Sequence, residues 1–377
     1  MKIMILGADG YLGWVNLLHF ACEGHEVIAF DNKIKRQLMF ESNVVALEIE
    51  SDILSKLSRL EKHSSVNVKF FDNNITHEKI LRKVIKEHQP DTIIHFAEQP
   101  SAPYSMANED QGCSTIMNNY MSTLRLIYAV RDIKPDTHII KLGTMGEYGT
   151  PDIDIEEGWI NINHNKRQQR MLYPKSPHSI YHLSKVNDSD ALAFACKMWN
   201  LTVTDLNQGF VYGVYTPETE STGLYPRYCY DHIFGTVFNR FIVQHVLNQN
   251  LTVYGEGNQI RPMISILDSV KCVHLATVNP PKPGDFRVLN QFTETTTIKA
   301  LAYKITKNHK KIEYLKNPRI EEQDHYYNPK NKGFSDLGLL PSLLSDDVIS
   351  KMIKWVKLRE NLIFSQQIYP LIDWVKQ

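Results

Sequence analysis

Three glycines, Gly7, Gly10 and Gly13, stand three residues apart at the head of a 377-residue chain, and no other feature restricts the fold as much. Residues 2–6 before them are short, apolar and β-prone. Residues 11–23 after them carry Leu12, Val15, Leu17, Leu18 and Cys22 at helical spacing. A strand, a glycine turn and a helix in that order form the opening of a dinucleotide site. The first glycine permits the turn, the second brings the backbone close to a pyrophosphate, and the third packs helix on strand. Free N–H groups at the helix start then attract phosphate. Gly7, Gly10, Tyr11, Leu12 and Gly13 are the expected contacts, and Asp31 ends the next strand, 26–30. Asp31 is placed to accept hydrogen bonds from the adenosine ribose and to repel a 2′-phosphate, which favours NAD over NADP. Lys33, Lys35 and Arg36 follow and pull the other way.

Further strands are expected at 66–71, 92–96, 138–142 and 202–206, with helices at 76–88, 107–131 and 180–199 between them. Alternating strands and helices imply an α/β fold, a Rossmann-type doubly wound parallel sheet covered on both faces. Its NAD-binding domain spans 1–207, with a Pro-punctuated insertion loop at 150–178. A smaller α/β substrate domain over 208–377 interleaves with it, and about 262–292 returns a strand to the main sheet. Asp72 ends the third strand, where it either sits beside the adenine or caps the helix beginning near Thr76. Asn32, Asn73, Phe96, Glu98 and Asn119 complete the expected cofactor contacts.

Composition excludes several classes. Basic and acidic residues balance at 42 each, so no nucleic-acid surface is expected. No apolar run is long enough for a membrane span, and no leader precedes the first strand. The five cysteines are scattered without a CxxC pair. They are expected to be reduced, buried apolar side chains of a cytoplasmic protein, with no metal.

The chemistry lies in Tyr181 and Lys185, four apart on one helix face. A tyrosine hydroxyl titrates near 10, too high for a base at neutral pH. A neighbouring ammonium and an oxidised nicotinamide ring favour the phenolate. It can then take the proton of a substrate hydroxyl whose carbon gives up hydride. Thr144, at the end of the fifth strand, is placed to hold the same oxygen.

Together these features resemble the extended branch of the short-chain dehydrogenase/reductase superfamily, which acts on nucleotide sugars. Longer strings resemble the UDP-sulfoquinovose synthase family in particular. Among them are His95-Phe96-Ala97-Glu98-Gln99, Thr144-Met145-Gly146-Glu147-Tyr148-Gly149, Tyr181-His182-Leu183-Ser184-Lys185-Val186, Asn290-Gln291-Phe292-Thr293-Glu294 and His325-Tyr326-Tyr327-Asn328. The matches run in order to about residue 345. The resemblance implies an NAD-dependent, redox-neutral reaction of UDP-glucose with sulfite. C4 is oxidised, the C5 proton becomes acidic, water leaves C6, sulfite adds to the 4-keto-5,6-ene, and hydride returns to C4. It implies Glu147 as the acid or base at C5 and C6. Met145, His182, Asn207, Gln208 and Val253 are expected about the sugar nucleotide, and Arg261, His325 and Tyr326 at the UDP. His182 either steers an anion, donates to the leaving hydroxyl, or packs as a helix residue. It also implies a homodimer through the two long helices, and sulfite arriving free or from a donor protein.

Two departures bear on sulfite. Pro100 and Leu267 stand where the family carries arginine, and Lys175, Arg240, Arg319 or His182 are the candidate replacements. The rival readings are a UDP-sugar 4-epimerase or 5,6-dehydratase that uses no sulfite, and a non-catalytic NAD sensor.

Overall fold

The structure, a computed structural model, describes residues 1–48, 52–63, 65–319, 326–370 and 372. Seven strands form its main sheet: β1 (Lys2–Leu6), β2 (Glu26–Asp31), β3 (Asn67–Asp72), β4 (Thr92–His95), β5 (His138–Thr144), β6 (Thr202–Gln208) and β7 (Phe286–Gln291). Their spatial order is β7-β6-β5-β4-β1-β2-β3, and every pairing is parallel. The order reverses between β1 and β4, which opens a crevice at the carboxyl ends of those strands.

Both sheet faces are covered because successive β1 side chains point to opposite sides. Ile3 and Ile5 join one core with Trp14, Val15 and Leu18 of helix α1 (Tyr11–Cys22). Met4 and Leu6 join the other, with Leu126 and Val130 of α2 (Glu109–Ile133) and Leu192 and Ala195 of α3 (Ile180–Trp199). Each fully buried aliphatic side chain contributes about 1.5–3 kcal/mol. A third core, around Tyr228, Phe238, Phe241 and Trp355, lies beyond β6. It gathers the helices Val237–Val246 and Asp346–Lys357 and the paired strands Leu251–Tyr254 and Ile312–Leu315. Between this core and the main sheet lies a three-stranded sheet of Phe210–Tyr212, Ile260–Ser265 and Glu294–Thr297.

Local structure departs from expectation at four places. The stretch between β2 and β3 contains two helices, Ile34–Glu41 and Ile53–His63. The insertion at 150–178 is not simply a loop, since Trp159–His164 and Arg167–Leu172 pair as an antiparallel hairpin. Asp72 does not cap the following helix. That helix is Glu78–His88 with His77 at its N-cap, and Asp72 is instead half-exposed and paired with Lys33 at 2.8 Å. Cys22 and Cys113 are exposed rather than buried. No helix among the described residues is long and apolar enough to cross a membrane, and none of their His, Cys, Asp and Glu side chains cluster to hold a metal.

Two imidazoles are buried, and a third, that of His182, is half-buried. Burial pushes His95 on β4 down to about 4, and His138 on β5 and His182 on α3 down to about 3. Each ring is therefore neutral in the folded chain, while the unfolded chain binds protons below about 6.5. Their stabilising contribution is full above that value and is lost as pH falls toward the folded values. Glu147 enters only below its ordinary value of 4.5. Denaturant unfolding at pH 7.5 and 5.0 should show a loss of about 2 kcal/mol per imidazole. Equal stability at the two pH values would contradict this burial.

Candidate active site

Backbone geometry builds the cofactor end. Gly7 has φ +86°, and a Cβ there would lie 2.6 Å from the Phe96 carbonyl carbon. A Cβ on Gly13 would lie 1.9 Å from the Gly7 oxygen. α1 starts at Gly10 without a side-chain cap, which leaves its first N–H groups toward the crevice. Asp31 accepts from Asp9 N at 2.8 Å and Lys33 N at 2.6 Å, and burial raises its carboxyl above the ordinary value. Two of the three cations that follow are paired with carboxylates, while Lys35 lies 5.3 Å from the Phe234 ring and lines the cavity. Lys33 pairs with Asp72, and the Arg36 fork holds Asp9 at 2.6 and 2.8 Å and also reaches Glu48. From the opposite side of the crevice, Arg227 donates to the same Asp9 carboxylate at 2.6 Å.

A cavity of about 570 Å³ runs from this turn to the substrate side, within the usual range for a ligand pocket. All the expected cofactor contacts line it except Asp72 and Asn119. Asn119 is buried behind the wall, where it bonds Gln99 N and O and the Ser184 hydroxyl. A cradle with no room for Cβ atoms, an uncapped helix start and an acceptor carboxylate at the end of β2 fit a dinucleotide.

Thr144 ends β5 and Tyr181 opens α3, and both line the cavity. α3 starts there because the Ser179 hydroxyl caps His182 N, while Tyr181 N donates to Ser105 Oγ at 3.0 Å. One turn on, Lys185 Nζ donates to the Leu142 carbonyl at 2.6 Å and pairs with Glu98. It lies 5.9 Å from the centre of the Tyr181 ring. The simple expectation of a phenolate favoured by Lys185 needs correction. Burial first, and the Glu98 carboxylate second, push the Tyr181 hydroxyl well above its usual value, with Lys141 opposing them.

Glu147 does not reach the cavity wall, which corrects its expected role as an acid or base on the sugar. Its Oε1 accepts from Lys141 Nζ and Thr144 N, each at 3.1 Å. Its Oε2 accepts from Lys175 at 2.5 Å and Ser189 at 3.0 Å. Burial alone would raise this carboxyl, but the two lysines outweigh it and hold it far below the carboxylate range. Lys175 is thereby engaged and does not replace a missing arginine. His182 is also corrected as an anion-steering cation. Burial and then the Arg319 charge keep it neutral, its Nδ1 lies 3.0 Å from Ser179 Oγ, and a Cβ on Gly146 would lie 2.4 Å from its Nε2. Met145 and His182 line the cavity.

Gln208 also lines it, and bonds Ser269 and Gln291 behind. Asn207 does not; its amide donates to the Tyr148 hydroxyl at 2.8 Å. Arg261 lines the far end with Arg240 and Arg319. Arg240 donates to the Tyr254 hydroxyl at 2.7 Å and the Thr252 carbonyl at 2.9 Å. Burial, followed by repulsion from Arg261, lowers Arg319 to about 10. Three guanidinium groups sharing one buried wall favour a multivalent anion. Val253 is buried, and its neighbour Tyr254 meets the cavity instead. Tyr326 is exposed and donates to Asp154 at 2.5 Å, whereas Tyr327 lines the cavity. His325 lies outside the described residues. Pro100 lines the cavity, but Leu267 does not, so only the first departure alters the wall. Sequence reasoning missed Arg227 and His178, which no short local pattern marks, and chose Val253 and Tyr326 where their neighbours Tyr254 and Tyr327 line the cavity.

Residues 3–290 match the model of the NAD dependent epimerase/dehydratase family. Along its whole length the chain is 41% identical to the chloroplastic UDP-sulfoquinovose synthase of Spinacia oleracea, of which it covers 79%. It is 39% identical to the UDP-sulfoquinovose synthase of Sulfolobus acidocaldarius, again along its whole length and over 98% of that protein. Among solved structures, dTDP-glucose 4,6-dehydratase from Bacillus anthracis, in complex with NAD, has the same fold. The TM-score is 0.68 at 17% identity, covering 96% of this chain and 98% of that one.

A Glu147→Gln substitution removes one of the two carboxylates paired with the fully buried Lys141, leaving Asp205 at 3.3 Å, and should cost about 1–3 kcal/mol. Thermal unfolding should fall by roughly 1–4 °C. Unchanged stability with abolished turnover would return Glu147 to the chemistry.

Proposed function

The chain belongs to the NAD dependent epimerase/dehydratase family, alongside the UDP-sulfoquinovose synthases, and from that premise we infer that it makes UDP-sulfoquinovose from UDP-glucose and sulfite. The observation that carries this reading is one cavity holding the glycine cradle at one end, the three arginines at the other, and Thr144 and Tyr181 between them. Bound NAD supplies a reversible hydride acceptor, so the reaction as a whole is redox-neutral.

The side chains divide the work by position. Arg240, Arg261 and Arg319 hold the diphosphate. Thr144 holds the C4 oxygen and Tyr181 takes its proton. The 4-ketone that results acidifies the proton on C5, and water leaves C6 to give a 4-keto-5,6-ene. Sulfite forms the new C–S bond at C6, and C5 regains a proton before C4 is reduced. With Glu147 committed to Lys141 and Lys175, the proton carriers at the wall are Tyr181 and the neutral imidazole of His182. A neutral ring can both accept and donate, so the role of leaving-group donor suits His182 better than anion steering. With Pro100 in the wall, Arg319 serves both ends: it borders Arg261 at the diphosphate and, as the strongest cationic influence on His182, also supplies charge for sulfite.

The exposed apolar residues Met117 and Tyr128 on α2 and Leu183, Phe194 and Met198 on α3 support a homodimer through these helices. We place the protein in the cytoplasm, with sulfite arriving free or from a donor protein.

Incubation with UDP-glucose, with and without sulfite, followed by mass analysis of the nucleotide sugar, tests the reading. A sulfonated product formed only with sulfite is expected. Turnover without sulfur incorporation would favour an epimerase or dehydratase. Tyr181→Phe should retain NAD and lose about 10²–10⁴-fold in rate. Unchanged function in that variant would favour a sensor.

A further inference from the structure

We propose that Glu98 sets the charge of the nicotinamide end of the cavity, so that the site holds the positively charged oxidised ring more tightly than the neutral reduced ring. The inference rests on the NAD reading above. It begins from an asymmetry in the Glu98–Lys185 ion pair. Both side chains are almost fully enclosed, at 2% and 4% exposure. Glu98 lines the cavity, whereas Lys185 lies behind it and spends a second donor on the Leu142 carbonyl. Of the two, the negative partner is therefore the one on the cavity side, just beneath its surface.

Surrounding groups leave that negative end in place. His95 Nε2 lies 3.7 Å from Glu98 Oε1, but burial keeps the ring neutral. Lys141 is held by Glu147 and by Asp205 at 3.3 Å. Asp188, buried nearby, has its carboxyl pushed well above the ordinary range, first by burial and then by Glu98. No hydrogen bond from the described residues reaches Glu98 Oε1. This carboxylate oxygen is buried behind the cavity surface, and its charge acts on the Tyr181 hydroxyl.

A pyridinium gains Coulombic attraction from such a group and a dihydropyridine gains none. The preference suits a redox-neutral cycle, which must end with the oxidised cofactor in place before the next sugar is bound. It also opposes deprotonation of Tyr181 until a positive ring is present, which couples the base to the oxidised state. Glu98 is thus a positioning residue for charge, acting through Lys185 and the cofactor.

The test reads binding rather than rate. Purified holoenzyme is equilibrated with defined mixtures of NAD and NADH, desalted, and the bound ratio measured against the free ratio. Wild type should be enriched in the oxidised form, and Glu98→Gln should reduce that enrichment about tenfold. A purely structural role would weaken both forms alike, so a folded Glu98→Gln variant with unchanged enrichment overturns the proposal. Should Glu98→Gln fail to fold, Lys185→Met is measured instead. Removing the ammonium should raise the enrichment, and an unchanged or lower value overturns the proposal. Failure of wild type to bind either form would instead overturn the NAD reading itself.

Discussion

The anchoring of Lys185 is the interaction on which the site depends. A buried ammonium must be matched by acceptors, because a lone charge costs far more than one residue's packing can return. Here the acceptors are the Leu142 carbonyl on β5 and the Glu98 carboxylate just after β4. The two anchors tie the first turn of α3 to the carboxyl edge of the sheet. Tyr181, one turn earlier, is then held at the cavity wall on the same edge as Thr144. The polar inner faces of α2 and α3 serve the same geometry, since Asn119 links Ser184 of α3 to the backbone of Gln99.

A second charged system lies beneath the first and has a different task. Lys141, Glu147, Asp205, Lys175 and Ser189 bind one another at the end of β5. Their contacts fix the turn after Thr144, because Glu147 accepts from Thr144 N while the Thr144 hydroxyl accepts from Gly146 N. Glu147 therefore holds the backbone of the threonine, and it is not among the residues that line the cavity. In the proposed reaction, proton transfer falls to Tyr181, deprotonated once the oxidised ring is bound, and to the neutral imidazole of His182, with the arginines gathered at the far end of the cavity.

Much of this was legible in the residues. The strands of the main sheet are nearly continuous apolar runs bounded by Gly, Asp or Pro, and burial on both faces admits little else. α3 was expected at 180–199 and lies there, because Ser179 and Asn200 are good end residues. The helix Ile34–Glu41 was missed because its only buried residue is Met39. The hairpin in the 150–178 insertion was missed because its strands are polar and mostly exposed. Glu147 was misread because its partners are distant in sequence, although one signal was present. Lys141 stands in an otherwise apolar strand, His138–Thr144, and a lysine buried there demands a carboxylate. The resemblance to a family supplied the substrate and the order of steps, which no spacing of residues contains.

The central claim is that hydride leaves C4 of the sugar and comes back to the same carbon within one active site. UDP-glucose carrying deuterium at C4 tests it directly, with sulfite present and unlabelled NADH in solution. Deuterium retained at C4 of a product sulfonated at C6 is the predicted result. Loss of the label to the medium or to free cofactor, or its retention only in a product without sulfur, would contradict the account.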